Sequence, residues 1–312
     1  MKLIPLIFLL LSAGASAADI RLGIIGTDTS HVIAFTEMFN DAERSDHISG
    51  ARVVAAYKGG SPDIESSWSR VDKYAEELRT KWKIELVPDI PTLCQKVDAI
   101  LLESNDGRKH LSQARQVIAA RKLMFIDKPL ASTLEDAREI TRLAHEAGVQ
   151  FFSSSSARFE GIASAMKFPD SIGVMVWGPG PLEEHHYLDL SWYAIHSIEL
   201  LYTLMGTGCE EVCRMTTSNS DEIVGRWKGG RLGSVRAIRP YSEAGAVVFR
   251  PKQIIQSDQT MQEGYGPLLK EIVKFFQTGI APVAPKETLE IMAFMDAAQR
   301  SKAAGGQPMR LR

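Results

Sequence analysis

Short apolar runs alternate with stretches of helical period along the first half of the chain. The segment Arg21-Leu22-Gly23-Ile24-Ile25-Gly26 reads as a buried strand entering a glycine turn, and Val32, Phe35, Met38 and Phe39 then recur at helical spacing. A second strand is predicted over 52–57, broken by Gly59-Gly60-Ser61-Pro62, and a second helix through Trp68, Val71, Tyr74, Ala75 and Leu78. Residues 84–87, 99–102 and 123–126 supply three more strands, with helices between them. Strands separated by helices and short connections predict a parallel sheet covered on both faces. The expected class is therefore α/β, with an N-terminal doubly wound Rossmann domain over residues 19–130.

Beyond residue 130 the pattern changes. A helix over 134–147 and a strand over 149–152 lead into the serine run 153–156. After a helix carrying His196 come four strand candidates, within 210–218, 221–227, 231–238 and 245–250. Strands without intervening helices predict an open, largely antiparallel sheet. Helices near 264–277 and 285–304 end the chain, so residues 131–312 are expected to form an α+β domain. Its uncovered sheet face makes a homo-oligomer the expectation.

Composition narrows the class. The chain has 312 residues, 45% of them hydrophobic, with 36 basic and 38 acidic side chains. Collagen-like, disordered and disulfide-scaffold classes are excluded. A net charge of −2 gives no electrostatic case for nucleic acid or an anionic membrane surface. The cysteines are Cys94, Cys209 and Cys213; the last two could pair in an oxidising compartment, but buried thiols are the preferred reading. Residues 1–18 carry a secretory pattern: Lys2, the apolar segment 3–11, and the small-residue site Ala15-Ser16-Ala17. With no Arg-Arg pair and no following cysteine, the expectation is Sec-type export to the periplasm or beyond, without a lipid anchor. No membrane association is expected once the signal is removed.

Three motifs carry a family resemblance: LGIIGT in the first turn, IDKPLA at 126–131, and the helix WYAIHSIELLYTLMG at 192–206. In order and spacing the chain resembles the glucose–fructose oxidoreductase and inositol dehydrogenase (Gfo/Idh/MocA) family over essentially its whole mature length. The resemblance implies a Rossmann domain joined to an open-faced sheet domain, and oxidation or reduction of sugar-like polyols with NAD or NADP.

The resemblance also assigns candidate residues. The glycine turn spans Gly26, Thr27, Asp28, Thr29, Ser30 and His31, with Asp28 and His31 in place of the family's second and third glycines. Here the hydroxyls reach phosphate oxygens, or Asp28 and the hydroxyls simply cap the helix. Lys58 stands where the family has a ribose-binding acid; with Ser61 it favours the extra phosphate of NADP, unless it is a solvated turn residue. Glu103, Ser104 and Asn105 are candidates for nicotinamide-side contacts, and His110 for a structural role. Asp127-Lys128-Pro129 replaces Glu-Lys-Pro, a candidate cis-proline turn, and Lys128 would stabilise an alkoxide. His196 is the second catalytic candidate, although the aspartate the family carries four residues earlier is Trp192 here. Arg158, His185, Asp189, Trp192 and Tyr193 are substrate candidates, each with a packing or ion-pair alternative; the polar cluster 183–189 has no recognised metal spacing, and no metal is expected.

Export sits badly with a freely exchanging nucleotide, so three readings stand. One is an exported NAD(P)-dependent oxidoreductase of a carbohydrate-like hydroxyl, with a tightly held, recycled cofactor. Another is a sugar-binding protein on a retired fold. The third is a nucleotide-free lyase using His31, Asp28 and His196.

Overall fold

The computed structural model describes residues 18–258 and 263–312, so all but the last residue of the expected signal lies outside them. The first layer alternates β1 (Ile20–Ile25), α1 (Ser30–Asn40), β2 (Ala51–Tyr57), α2 (Glu65–Thr80), β3 (Glu85–Val87), α3 (Ile90–Lys96), β4 (Ala99–Leu102), α4 (Gly107–Ala119), β5 (Leu123–Asp127), α5 (Leu134–Ala147) and β6 (Phe151–Ser154). The strands form one parallel sheet in the order β3-β2-β1-β4-β5-β6, with its switch point between β1 and β4. Side chains alternate across the pleat. Leu22, Ile24, Leu101 and Phe125 enter one core, whereas Ile25, Ile100, Leu102 and Ile126 enter the other. Both faces are buried, which is why these strands read as continuous apolar runs.

The parallel sheet continues past residue 130. Phe151 and Phe152 extend the parallel sheet as β6, with Ser153 opposite Ile126 and Ser154 opposite Asp127. Half of the serine run is therefore strand. A second departure comes from the far end of the chain: α8 (Gly266–Thr278) returns to the first domain, where Leu268, Leu269, Ile272, Phe275 and Phe276 pack with Leu22, Ile24 and Phe35. Each such side chain contributes about 1.5–3 kcal/mol when fully buried.

The second domain begins with the short α6 (Gly161–Ala165) and β7 (Gly173–Pro179), followed by α7 (Ile195–Met205). Then come β8 (Cys209–Thr216), β9 (Ser220–Trp227), β10 (Leu232–Ile238), β11 (Gly245–Arg250), β12 (Gln253–Gln256), α9 (Pro285–Ala303) and β13 (Met309–Arg310). The sheet order is β12-β11-β7-β10-β9-β8-β13, antiparallel except for the β7–β10 pair. The pattern of apolar positions misses β7 because Gly173, Gly178 and Pro179 bracket its short Val-Met-Val-Trp core and look like turn signals. Helices α7 and α9 cover one face, and Met175, Met215, Leu232 and Ile254 stand exposed along the strands. The three cysteines are free thiols, and burial pushes Cys209 up to about 12.

Candidate active site

A cavity of about 410 Å³ opens at the carboxyl ends of the parallel strands, between α1 and α2 on one side and the start of α7 on the other. Asp127 is the last residue of β5, and the Lys128–Pro129 peptide that follows is cis. The Asp127 carboxylate accepts the Lys128 N–H at 2.8 Å. The Lys128 ammonium donates to the Trp192 carbonyl at 3.5 Å and lies 5.9 Å from the centre of the Tyr193 ring. Burial lowers its proton affinity, with Asp127 opposing.

His196 sits in the first turn of α7, its Nδ1 2.7 Å from the Ser155 hydroxyl. Burial, reinforced by Lys128 and His31, holds the imidazole down to about 3, so at neutral pH it is uncharged. When Ser155 donates to Nδ1, Nε2 carries the remaining ring proton and is a hydrogen-bond donor.

His31, in the first turn of α1, lines the same cavity, and its Nδ1 lies 2.5 Å from Asp127 Oδ2. The imidazole stacks on Phe35 at 5.3 Å and meets Tyr265 edge-on at 4.8 Å. Burial alone would raise the Asp127 carboxyl, but His31, Lys128 and the backbone N–H outweigh it and hold the group below its ordinary value. Behind this pair Glu103 is fully buried, and neither of its carboxyl oxygens has a hydrogen-bond partner among the described residues. Burial first, and then the Asp127 charge, push Glu103 well above the usual carboxylate range.

The N-terminus of α1 completes the floor. Thr29 is its N-cap but makes no side-chain capping bond, and the first turn holds no acid. Thr29, Ser30 and His31 all line the cavity, so unpartnered helix N–H groups and the positive end of the dipole face it. Ser66 and Arg70 of α2 approach from the other side, and Arg70 makes no ion pair among the described residues.

Several sequence candidates are spent elsewhere. Gly26, at φ +92°, makes the tight turn, and a Cβ there would fall 2.7 Å from the Ser104 backbone. Thr27 is buried and donates to the Val71 carbonyl at 3.1 Å. Asp28 neither caps α1 nor faces the cavity; its oxygens accept from the Ser67 hydroxyl at 2.6 Å and the Asn105 N–H at 3.1 Å. Ser61 donates to Asp106 at 2.5 Å, and the half-exposed Lys58 pairs with Asp72 outside the cavity. Ser104 is buried behind the floor, whereas Asn105 reaches the cavity. His110 is buried between the Ser104 and Leu130 carbonyls, at 2.8 and 3.2 Å, a structural position.

The substrate candidates divide in the same way. Trp192 and Tyr193 line the cavity. Arg158 does not; its guanidinium is buried between Glu199 at 2.7 Å and Glu287 at 2.5 Å. Asp189 pairs with the buried Arg214 at 2.7 Å and with Lys302 at 2.7 Å. His185 bonds Glu183 at 2.6 Å on an exposed loop, and His186 turns inward to Asp106 at 3.1 Å. The polar cluster 183–189 is thus dispersed: His186 and Asp189 turn to partners from distant segments, whereas His185 and Glu183 pair with each other. Among the described residues no three His, Cys, Asp or Glu side chains form a metal-holding group. Conversely, Ser66, Arg70, Ser155 and Tyr265 were not candidates from the sequence. Only the i, i+4 spacing of Ser66 and Arg70 on one helix face would have linked two of them.

Residues 20–155 match the family model described as the oxidoreductase family with an NAD-binding Rossmann fold, GFO_IDH_MocA. A presumed oxidoreductase of Salmonella typhimurium, YceM, is 24% identical over 104 residues, 33% of this chain and 34% of that protein. The chain thus spans about a third of the curated relative it matches. Among solved structures, a probable dehydrogenase from Thermotoga maritima superposes with a TM-score of 0.73 at 19% identity, over 94% of this chain and 99% of that one. The myo-inositol dehydrogenase of Lactobacillus casei, in complex with NAD(H) and myo-inositol, gives 0.73 at 17% identity, over 95% and 97%. At these identities the superpositions establish the shared two-domain fold.

Proposed function

We infer, from the match of residues 20–155 to the Gfo/Idh/MocA oxidoreductase family, that the chain is an NAD(P)-dependent oxidoreductase acting on a hydroxyl of a sugar-like polyol. The observation that carries the reading is the convergence of Lys128, His196 and the uncapped α1 N-terminus on one cavity at the ends of the Rossmann strands. The donor set fits the cofactor's diphosphate: free helix N–H groups, the Ser30 and Thr29 hydroxyls, and Arg70 as the nearby cation. The Asp28 carboxylate, which would repel phosphate, is turned away from the cavity into the α2 contact. When bound, NAD(P) supplies a hydride acceptor.

The chain's own residues supply binding and proton handling. Lys128 offers a buried cation to the substrate oxygen as negative charge develops there. Neutral His196 orients the same hydroxyl, and Trp192 and Tyr193 offer flat faces to the C–H side of a ring. Lys58 lies outside the cavity, so its case for NADP is withdrawn and the choice of nucleotide passes to Arg70 and its surroundings. The reading includes export, resting on the pattern of residues 1–18, and a captive, internally recycled nucleotide. It also includes a homo-oligomer joined through the open sheet face, where Met175, Met215, Leu232 and Ile254 are exposed.

The test is nucleotide release. Protein expressed with its leader is recovered after export, denatured, and its small molecules identified by mass. Stoichiometric NAD(H) or NADP(H) is the expected result. Protein that emerges empty and then fails to take up either nucleotide overturns the reading.

A further inference from the structure

Two departures from the family pattern are a single feature in three dimensions. His31 replaces the third glycine of the first turn and Asp127 replaces the glutamate before the lysine, and these two side chains meet at 2.5 Å. A third departure, Trp192 in place of the aspartate before His196, removes an acid–base group from the segment that leads into α7. We propose that His31, with Asp127 as its partner, is the proton-accepting base of this site, moved from the segment before α7 to α1. The inference rests on the proposed oxidoreductase reading.

The geometry argues for it as follows. Asp127 is an acceptor through Oδ2, so the neutral His31 ring carries its proton on Nδ1 and leaves the Nε2 lone pair free. Nε2 makes no hydrogen bond among the described residues, and the side chain is 13% exposed on the cavity wall. Asp127 is itself fixed, its second oxygen holding the Lys128 N–H at 2.8 Å. Phe35 and Tyr265 clamp the imidazole plane. Lys128 and His196 line the same cavity, and Glu103 lies buried behind the dyad. His196 is a poor alternative, since a group held down to about 3 is far from the working range of a general base. In the step, the substrate O–H bond breaks and its proton goes to His31 Nε2. The oxygen's electron pair would then form the C=O bond while the C–H pair would leave as hydride, for which NAD(P)⁺, when bound, would be the acceptor. Asp127 remains a carboxylate throughout.

The experiment has two arms. Nitrogen-detected NMR of the imidazoles in the full chain, with His31→Gln for assignment, reads the tautomer directly. The expected result is the Nδ1–H form for neutral His31, with that bias lost in Asp127→Asn. In the second arm turnover is read with myo-inositol and related polyols. Here His31→Gln lowers kcat by about a hundredfold or more, with bound nucleotide and melting temperature retained. An Nε2–H tautomer in the wild type, or His31→Gln turnover within about threefold of wild type where ~10² is expected, overturns the proposal. If wild-type protein holds no nucleotide and oxidises no polyol, the functional reading fails separately, and the tautomer measurement still decides the dyad.

Discussion

The Asp28 carboxylate ties α2 to the β4–α4 loop, accepting the Ser67 hydroxyl at 2.6 Å and the Asn105 N–H at 3.1 Å. Burial, only partly offset by these bonds, raises its pKa from 3.8 to about 6. Because the folded value is above the unfolded one, the charged form costs stability above pH 6, and that cost is relieved as pH falls from 6 towards 3.8. Asp28→Asn removes this dependence. The difference in unfolding free energy between wild type and variant should change by roughly 1–3 kcal/mol between pH 4 and 7, measured by urea denaturation across the range. A constant difference would show that Asp28 does not titrate in this window.

Lys128 lies in the cavity wall with its ammonium near Trp192 and Tyr193. Lys128→Met keeps most of the stem's packing and removes the charge. Turnover of a polyol substrate should fall by about 10²–10⁴, while the amount of nucleotide released on denaturation stays at the wild-type level. Loss of nucleotide along with activity would instead make Lys128 a cofactor-holding residue.

Arg70 and Lys58 make opposite predictions. Arg70 reaches the cavity and makes no ion pair among the described residues, whereas Lys58 is paired with Asp72 outside it. A charge-assisted hydrogen bond is worth about 1.5–3 kcal/mol, so Arg70→Ser should weaken NAD(P)H binding by about 10- to 100-fold. Lys58→Ser should leave it within about twofold, as for a surface ion pair. Fluorescence titration with NADH and NADPH checks both variants and shows which nucleotide Arg70 serves.

Arg158 carries a structural load. Its guanidinium sits between Glu199 and Glu287, and Arg158→Met leaves the buried Glu199 and the partly exposed Glu287 without their cation. The expected cost is about 3–5 kcal/mol in unfolding free energy, part of it recovered when Glu199→Gln is added. KM for the polyol should barely move in whatever fraction stays folded. A raised KM with unchanged stability would restore Arg158 to the substrate site.

What the sequence by itself determined was everything governed by local period and local backbone. Continuous apolar runs marked β1, β4 and β5 as strands buried on both faces, and helical spacing marked α1, α5 and α9. Gly26 marked a turn that needs positive φ, and the Asp127-Lys128-Pro129 motif located the strand end that supplies the cavity with its lysine. The tertiary structure decided which charged side chains are available for chemistry. Arg158 and Asp189 looked as free as Lys128 along the chain, yet one is neutralised by residues 41 and 129 positions away and the other by residues 25 and 113 away. His31 and Asp127, 96 positions apart, became a pair only when α1 was laid against the end of β5. The reason is physical: an apolar pattern is satisfied by any buried face, so it can be read one element at a time. A buried charge needs one particular partner, and that partner is set by how the elements pack.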